Sequence, residues 1–154
     1  MHSGATPSPT RVAFDATVHC LTGCAIGEVL GLVLATALRF SNAASITIAI
    51  VLAFAFGYSL TFFPLLGTGM PLGRAIGVTL AADTVSIGVM ELVDNAVVLA
   101  VPGAMDAGLT DALFWASLAL SLVLAFAAAF PVNRWLVTRG RGHVVAMQHL
   151  GHGP

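Results

Sequence analysis

The sequence predicts an all-α polytopic membrane protein, a bundle of four transmembrane helices joined by short loops. Hydrophobic residues make up 58% of the chain and charged residues only 8%, whereas a soluble domain carries about 25% charged residues. The apolar residues also fall in four continuous runs, each close to the roughly 20 residues that a membrane-spanning helix needs. Continuous runs do not fit a β-barrel, which alternates apolar and polar positions.

The predicted spans cover about residues 17–38, 43–66, 75–101 and 112–137, and the segments between them contain Gly, Pro, Ser and Asn. These are turn residues, and short loops make neighbouring helices antiparallel. The expected organisation is a mobile segment at 1–15, a transmembrane domain at 16–138 and a mobile tail at 139–154. The tail contains His143, Met147, His149 and His152, which either bind metal or are simply solvated.

The arginines predict the orientation of the spans. Five of the six fall on one side of a four-span arrangement, namely Arg11, Arg74, Arg134, Arg139 and Arg141. The positive-inside rule then places both termini in the cytoplasm. A formal net charge of −1 offers no basic patch for nucleic acid. As an alternative, the first span is a cleaved signal peptide, although Glu28 would interrupt its apolar core.

The first span carries a ridge of glycines. Gly23, Gly27 and Gly31 repeat every four residues, and small residues at this spacing let another helix approach closely. We expect this ridge to serve helix packing.

Cys20, Cys24 and Glu28 also repeat every four residues, beside the glycine ridge, and His19 precedes the first cysteine. Cβ atoms one helical turn apart are about 5–6 Å from each other, beyond the roughly 3.5–4.5 Å of a disulfide. Thiolate, imidazole and carboxylate groups together suit Cu(I) or Zn²⁺. The alternative is that the cysteines are small buried hydrophobic residues.

The third span contains acids where lipid would favour apolar residues. At about 100° per residue one face of this helix carries five polar or thioether side chains: Thr79, Asp83, Ser86, Met90 and Asp94. Glu91 flanks that face and Asn95 lies beyond it. Acids inside a membrane mark ion or proton paths by default, and here the path would use Glu28, Asp83, Asp94 and Asn95. The alternative is a structural hydrogen-bond network between helices.

Spans one and three start on the same side and therefore run parallel. If the glycine ridge lets the third helix approach the first, the two polar stripes meet inside the bundle. The expected metal ligands there are His19, Cys20, Cys24, Met90 and Glu91.

Four stretches carry a resemblance to a known family: HCLTGCAIGE, AADTVSIGVMELVDN, PGAMDAGL and FPVNRWLVTRGRGH. Between about residues 18 and 143 the chain resembles a bacterial family of small membrane proteins classed as a domain of unknown function. The family is marked by its HCxxGC helix and its acidic third helix. The resemblance implies a four-helix fold in a bacterial inner membrane and no settled activity. Some relatives are similar to proteins associated with copper or heavy-metal handling, which directs attention to His19, Cys20, Cys24, Met90 and Glu91.

Three functions follow from these patterns. The first is binding or transport of a soft metal, copper before zinc. The second is a membrane thiol or redox protein using Cys20 or Cys24. The third is a structural accessory subunit of a larger membrane complex. In each case the partners are the lipid bilayer and either further copies of the chain or another membrane subunit. The sequence contains no Ser-His-Asp order, P-loop or dinucleotide fingerprint, so it favours a protein that is not an enzyme.

Overall fold

The predicted all-α fold is confirmed by a computed structural model, which describes residues 8–138. The helices are α1 (Pro9–Leu38), α2 (Asn42–Gly67), α3 (Leu72–Ala100) and α4 (Ala112–Thr138), with a short 3₁₀ helix, η1 (Ala104–Asp106), between α3 and α4. No strand occurs within these residues. The four long helices are 26–30 residues long with mean hydropathies between 1.6 and 2.2, and each is long and apolar enough to cross a membrane. Four such helices in one chain indicate a multi-pass membrane protein.

The first helix begins earlier than the sequence indicated, at Pro9 rather than at about residue 17. Ser8 caps it, because its hydroxyl accepts a hydrogen bond of 3.2 Å from the backbone N–H of Arg11, and Pro9 suits the first helical position. Residues 9–15 are therefore helical and do not belong to a separate N-terminal segment. The bounds of the other three helices agree with the prediction within three residues. The predicted tail at 139–154, with its four His and Met residues, lies outside the described residues.

The bundle has two distinct ends. The terminal end carries residues 8 and 138 and the α2–α3 loop, and the opposite end carries the α1–α2 and α3–α4 loops. The helix α1 contacts all three other long helices.

The glycine ridge of α1 packs against α2. A Cβ atom built on Gly23 would lie 2.6 Å from the Cα of Gly57, and one built on Gly31 would lie 2.9 Å from the Cα of Ala49. A Cβ on Gly27 would overlap the backbone of Ala53. The expectation that this ridge receives the third helix was therefore wrong. The ridge instead packs tightly against α2, and the adjoining face of α1 meets α3.

Replacing Gly27 with valine is expected to destabilise the bundle. The new side chain would meet the backbone of α2, which cannot move as a flexible side chain would, and overpacking costs about 1–3 kcal/mol or more. Gly77→Val is the matched control, because no atom lies within 4 Å of a Cβ at Gly77. Unfolding of both variants in mixed micelles by increasing SDS measures the difference. Equal unfolding midpoints would contradict the close packing of α1 on α2.

Candidate functional site

The polar faces of α1 and α3 meet inside the bundle. The Sγ of Cys20 donates to the Oδ1 of Asp83 across 3.6 Å, and the Sγ of Cys24 lies 4.0 Å from the Sδ of Met90. Both cysteines are free thiols with 0% of their surface exposed. Because both members of each pair rise together along their helices, α1 and α3 run parallel.

A buried asparagine joins α4 to these two helices. The Nδ2 of Asn133 donates to the Oγ1 of Thr17 across 2.8 Å and to the Oγ of Ser86 across 3.0 Å. Thr17 in turn donates to the carbonyl of Ala13. Asn133 was not among the residues selected from the sequence, although an asparagine near the end of an apolar run is a signal for such a contact.

Three carboxylates form a cluster closer to the opposite end. Glu28 of α1 and Glu91 and Asp94 of α3 bring oxygen atoms within 4.8 Å of one another. We call these three residues the carboxylate cluster. Among the described residues, no other group of three His, Cys, Asp or Glu side chains converges in this way.

Two members of the cluster are deeply buried. Glu91 is 4% exposed and Asp94 is 1% exposed. None of their four carboxylate oxygens accepts a hydrogen bond of good geometry from the described residues, although Cys24 and Asn95 adjoin Glu91 and Ser121 adjoins Asp94. All four described arginines are exposed. A buried carboxylate is costly unless a partner compensates its charge. No described arginine is therefore buried beside the cluster to neutralise it.

The neighbours of the cluster come from α1, α3 and α4. Cys24 lies beside Glu91, and Ser121 of α4 lies beside Asp94. Asn95, the next residue on α3, donates to the carbonyl of Glu91 across 2.8 Å. The cluster thus has a thiol on one flank and hydroxyl and amide groups on the other.

His19 is separated from the residues that were expected to share a metal with it. Its ring faces the backbone of Leu60 on α2, and its Nε2 has no hydrogen-bond partner within the described part of the chain. The structure pairs Cys20 with Asp83 and Cys24 with Met90. Among the described residues, His19 belongs to no group of three convergent His, Cys, Asp or Glu side chains.

A cavity of about 90 Å³ lies between the carboxylate cluster and the opposite end. Its polar lining consists of Glu28, Ser45, Asn95, Ser117 and Ser121. Its apolar walls come from all four long helices and from η1. The carboxylate cluster therefore borders an internal space through Glu28.

The geometry separates two kinds of ligand chemistry by depth. Cys24 and Met90 offer sulfur, which selects soft metals, whereas the carboxylate cluster offers oxygen, which suits Mg²⁺, Ca²⁺ and Mn²⁺. Zn²⁺ accepts both carboxylate oxygen and thiolate sulfur. A cation bound between the helices would offset the free-energy cost of burying either set of ligands.

The chain belongs to a family described as Domain of unknown function (DUF4396), which matches residues 11–142. This match spans all four long helices and confirms the resemblance inferred from the motifs. No match was found among curated proteins or among solved structures. The family description assigns no activity, so the function has to be inferred from the geometry of the site.

Both native thiols are expected to resist alkylation while the bundle is folded. Cys20 and Cys24 have no exposed surface, so N-ethylmaleimide should modify them only after SDS unfolds the protein. Thr138→Cys provides the accessible control, because Thr138 is exposed at the end of α4. Mass spectrometry of peptides counts the label at each site. Modification of the native thiols as fast as the control would contradict their burial.

Proposed function

We propose that this protein binds a divalent metal cation inside the membrane, with Glu28, Glu91 and Asp94 as ligands. The observation that supports this most directly is that three carboxylates converge between α1 and α3, two of them almost fully buried, and that the oxygens of Glu91 and Asp94 accept no hydrogen bond of good geometry from the described residues. A divalent cation would bind all three side chains and compensate the charge of two of them. Intramembrane acids facing a bundle interior are functional sites by default.

The ligand chemistry favours a hard or borderline cation over copper. Three carboxylates provide oxygen only, which suits Mn²⁺, and Zn²⁺ also uses such ligands. Cys24 beside Glu91 would add one sulfur ligand for Zn²⁺ if its thiol loses a proton on binding. Zinc therefore combines the sequence-based expectation of a thiol ligand with the observed group of carboxylates.

The charges at the helix ends favour one orientation of the bundle in the membrane. The protein would lie in a bacterial inner membrane with its terminal end in the cytoplasm, because the arginines gather at that end. In the same setting a cation bound in the bundle would be in transit across the membrane or held for a partner subunit. Four helices make a narrow pathway, so a homo-oligomer is the expected assembly.

Removing one buried ligand is expected to weaken Zn²⁺ and Mn²⁺ binding. Glu91→Gln and Asp94→Asn keep the size of the side chain and remove its charge, and each should weaken binding by about tenfold or more. Isothermal titration of the purified protein in detergent measures the affinity. Asp15→Asn is the matched control, because Asp15 is an exposed acid on the same helix as Glu28.

The size-exclusion profile of each variant shows whether the bundle is intact, so that lost binding is not confused with lost folding. An unchanged affinity in folded Glu91→Gln and Asp94→Asn would refute the proposal, as would a parent protein that takes up neither metal. A loss in Asp15→Asn equal to that in the cluster variants would show that the effect is one of overall charge.

A copper site at Cys24 and Met90 is the second candidate. It is favoured by the distance of 4.0 Å between the two sulfur atoms, which are both buried. Soft thiolate and thioether ligands select Cu(I). Of the five metal ligands expected from the sequence, this copper site would use Cys24 and Met90, and Glu91 lies beside Cys24.

The two candidate sites predict that different substitutions abolish metal binding. Cu(I) bound at the sulfur pair would be lost in Cys24→Ser and in Met90→Leu and retained in Asp94→Asn, because Asp94 contributes no soft ligand. Competition with the chelator bicinchoninate under reducing conditions measures Cu(I) affinity. Equal affinity in the parent and in Cys24→Ser would exclude the sulfur site.

A thiol or redox activity has less support from the same geometry. A reactive cysteine needs access and a positive neighbour, whereas Cys20 is fully buried beside Asp83 and Cys24 is fully buried beside Met90. An accessory role in a larger complex is compatible with cation binding and is not a separate chemical proposal.

A further inference from the structure

We infer that the carboxylate cluster exchanges its cation with the opposite end of the bundle, through the cavity beneath the α3–α4 loop, while a packed layer closes the route to the terminal end. This inference rests on the proposed function and adds the side from which the site is reached. It follows from the positions of the cavity, the loop and the bundle core.

The cavity has the size and lining of a hydrated space. A water molecule needs about 10–15 Å³ of such volume and two to four polar partners, and the cavity measures about 90 Å³. Ser45 and Ser117 line its upper part, between the ends of α2 and α4, and Ser121, Asn95 and Glu28 line its deeper part. A file of hydroxyl, amide and carboxylate groups therefore leads from the helix ends to the cluster.

The α3–α4 loop forms the roof of this cavity and is itself held in place. Ala104 and Ala107 are buried, and both line the cavity together with Met105. The indole Nε1 of Trp115 donates to the carbonyl of Leu109 across 2.8 Å, and the backbone N–H of Gly108 donates to the Oδ2 of Asp111 across 2.8 Å. The loop is therefore an ordered cover over the cavity at this end of the bundle.

On the other side of the cluster the bundle is packed without exposed surface. Cys24 and Met90 lie next to Ile87, Ala125 and Ala129 in one core group, and each of these residues is 0% exposed. We call these five residues the core layer. Because all five are fully buried, a hydrated cation would have to displace packed side chains to pass.

A second polar region begins beyond the core layer. It contains Asp83 with Cys20 and the hydrogen bonds of Asn133 with Thr17 and Ser86. Two polar regions separated by one closely packed layer are what one-sided access requires. The short side chains of Ala125 and Ala129 and the adaptable side chain of Met90 make this layer the point at which a change of packing would open the route to the terminal end.

Single-cysteine labelling in proteoliposomes tests the direction of access. Ser117→Cys is introduced into the full chain, and the membrane-impermeant cationic reagent MTSET is applied to one face at a time. The native thiols are buried and are monitored in the parent protein. Ser45→Cys, on α2, is the second cavity position in case Ser117→Cys does not fold. Ala119→Cys is the matched control on the outer side of α4, and Thr138→Cys reports the terminal face.

The expected result is modification of Ser117→Cys from the face that carries the α1–α2 and α3–α4 loops and none from the terminal face. Thr138→Cys should show the reverse, and Ala119→Cys should react from neither face. Saturating Zn²⁺ should slow the modification of Ser117→Cys. Equal modification from both faces, modification from the terminal face alone, or no modification of either folded cavity variant would overturn the inference.

These outcomes are distinct from failure of the proposed function. If Ser117→Cys is modified from one face but Zn²⁺ gives no protection and no binding, the access route stands and metal binding fails. If the metal binds and both faces label the cavity equally, the proposed function stands and one-sided access fails.

Discussion

The structure depends on one constraint, which is that three acids converge inside the bundle while the four arginines of residues 8–138 are all exposed. Each acid at the centre of a spanning helix costs about 2.5–3.5 kcal/mol on the insertion scale, and Glu91 and Asp94 lie together in the same site. The apolar surfaces of the four helices hold the chain in lipid in spite of that cost. A bound cation, as proposed above, would offset this cost by neutralising the acids.

The glycine ridge makes this placement possible. Because Gly23 and Gly57 bring the backbones of α1 and α2 into contact, α1 is fixed against one neighbour by its smallest side chains. Its adjoining face, with Cys20, Cys24 and Glu28, is then left to meet α3. A bulkier ridge would move α1 away from α2, and the same shift would alter the distances between the thiols and the acids of α3.

Much of this arrangement was readable from the sequence, and the misses have physical causes. Apolar runs predicted the four helices, and the parallel direction of α1 and α3 followed from counting spans. The partner of the glycine ridge was not predictable, because small residues permit close approach without naming the helix that approaches. His19 adjoins Cys20 in sequence but points to α2, since adjacent residues on a helix differ by about 100°. The helical segment before residue 17 was missed because its cap at Ser8 is a local hydrogen bond rather than an apolar pattern.

The polar and sulfur-containing groups of the bundle interior lie at different depths along its axis. From the terminal end the bundle contains first Asn133 and Asp83 with their hydrogen bonds, then the sulfur atoms of Cys24 and Met90, and then the carboxylate cluster beside a cavity. On the terminal side of the sulfur pair, Asp83 accepts a hydrogen bond from Cys20, whereas on the other side three carboxylates converge and adjoin, through Glu28, a cavity large enough for water. Convergent carboxylates beside such a space are what the proposed cation site requires, because the ion must be able to reach its ligands.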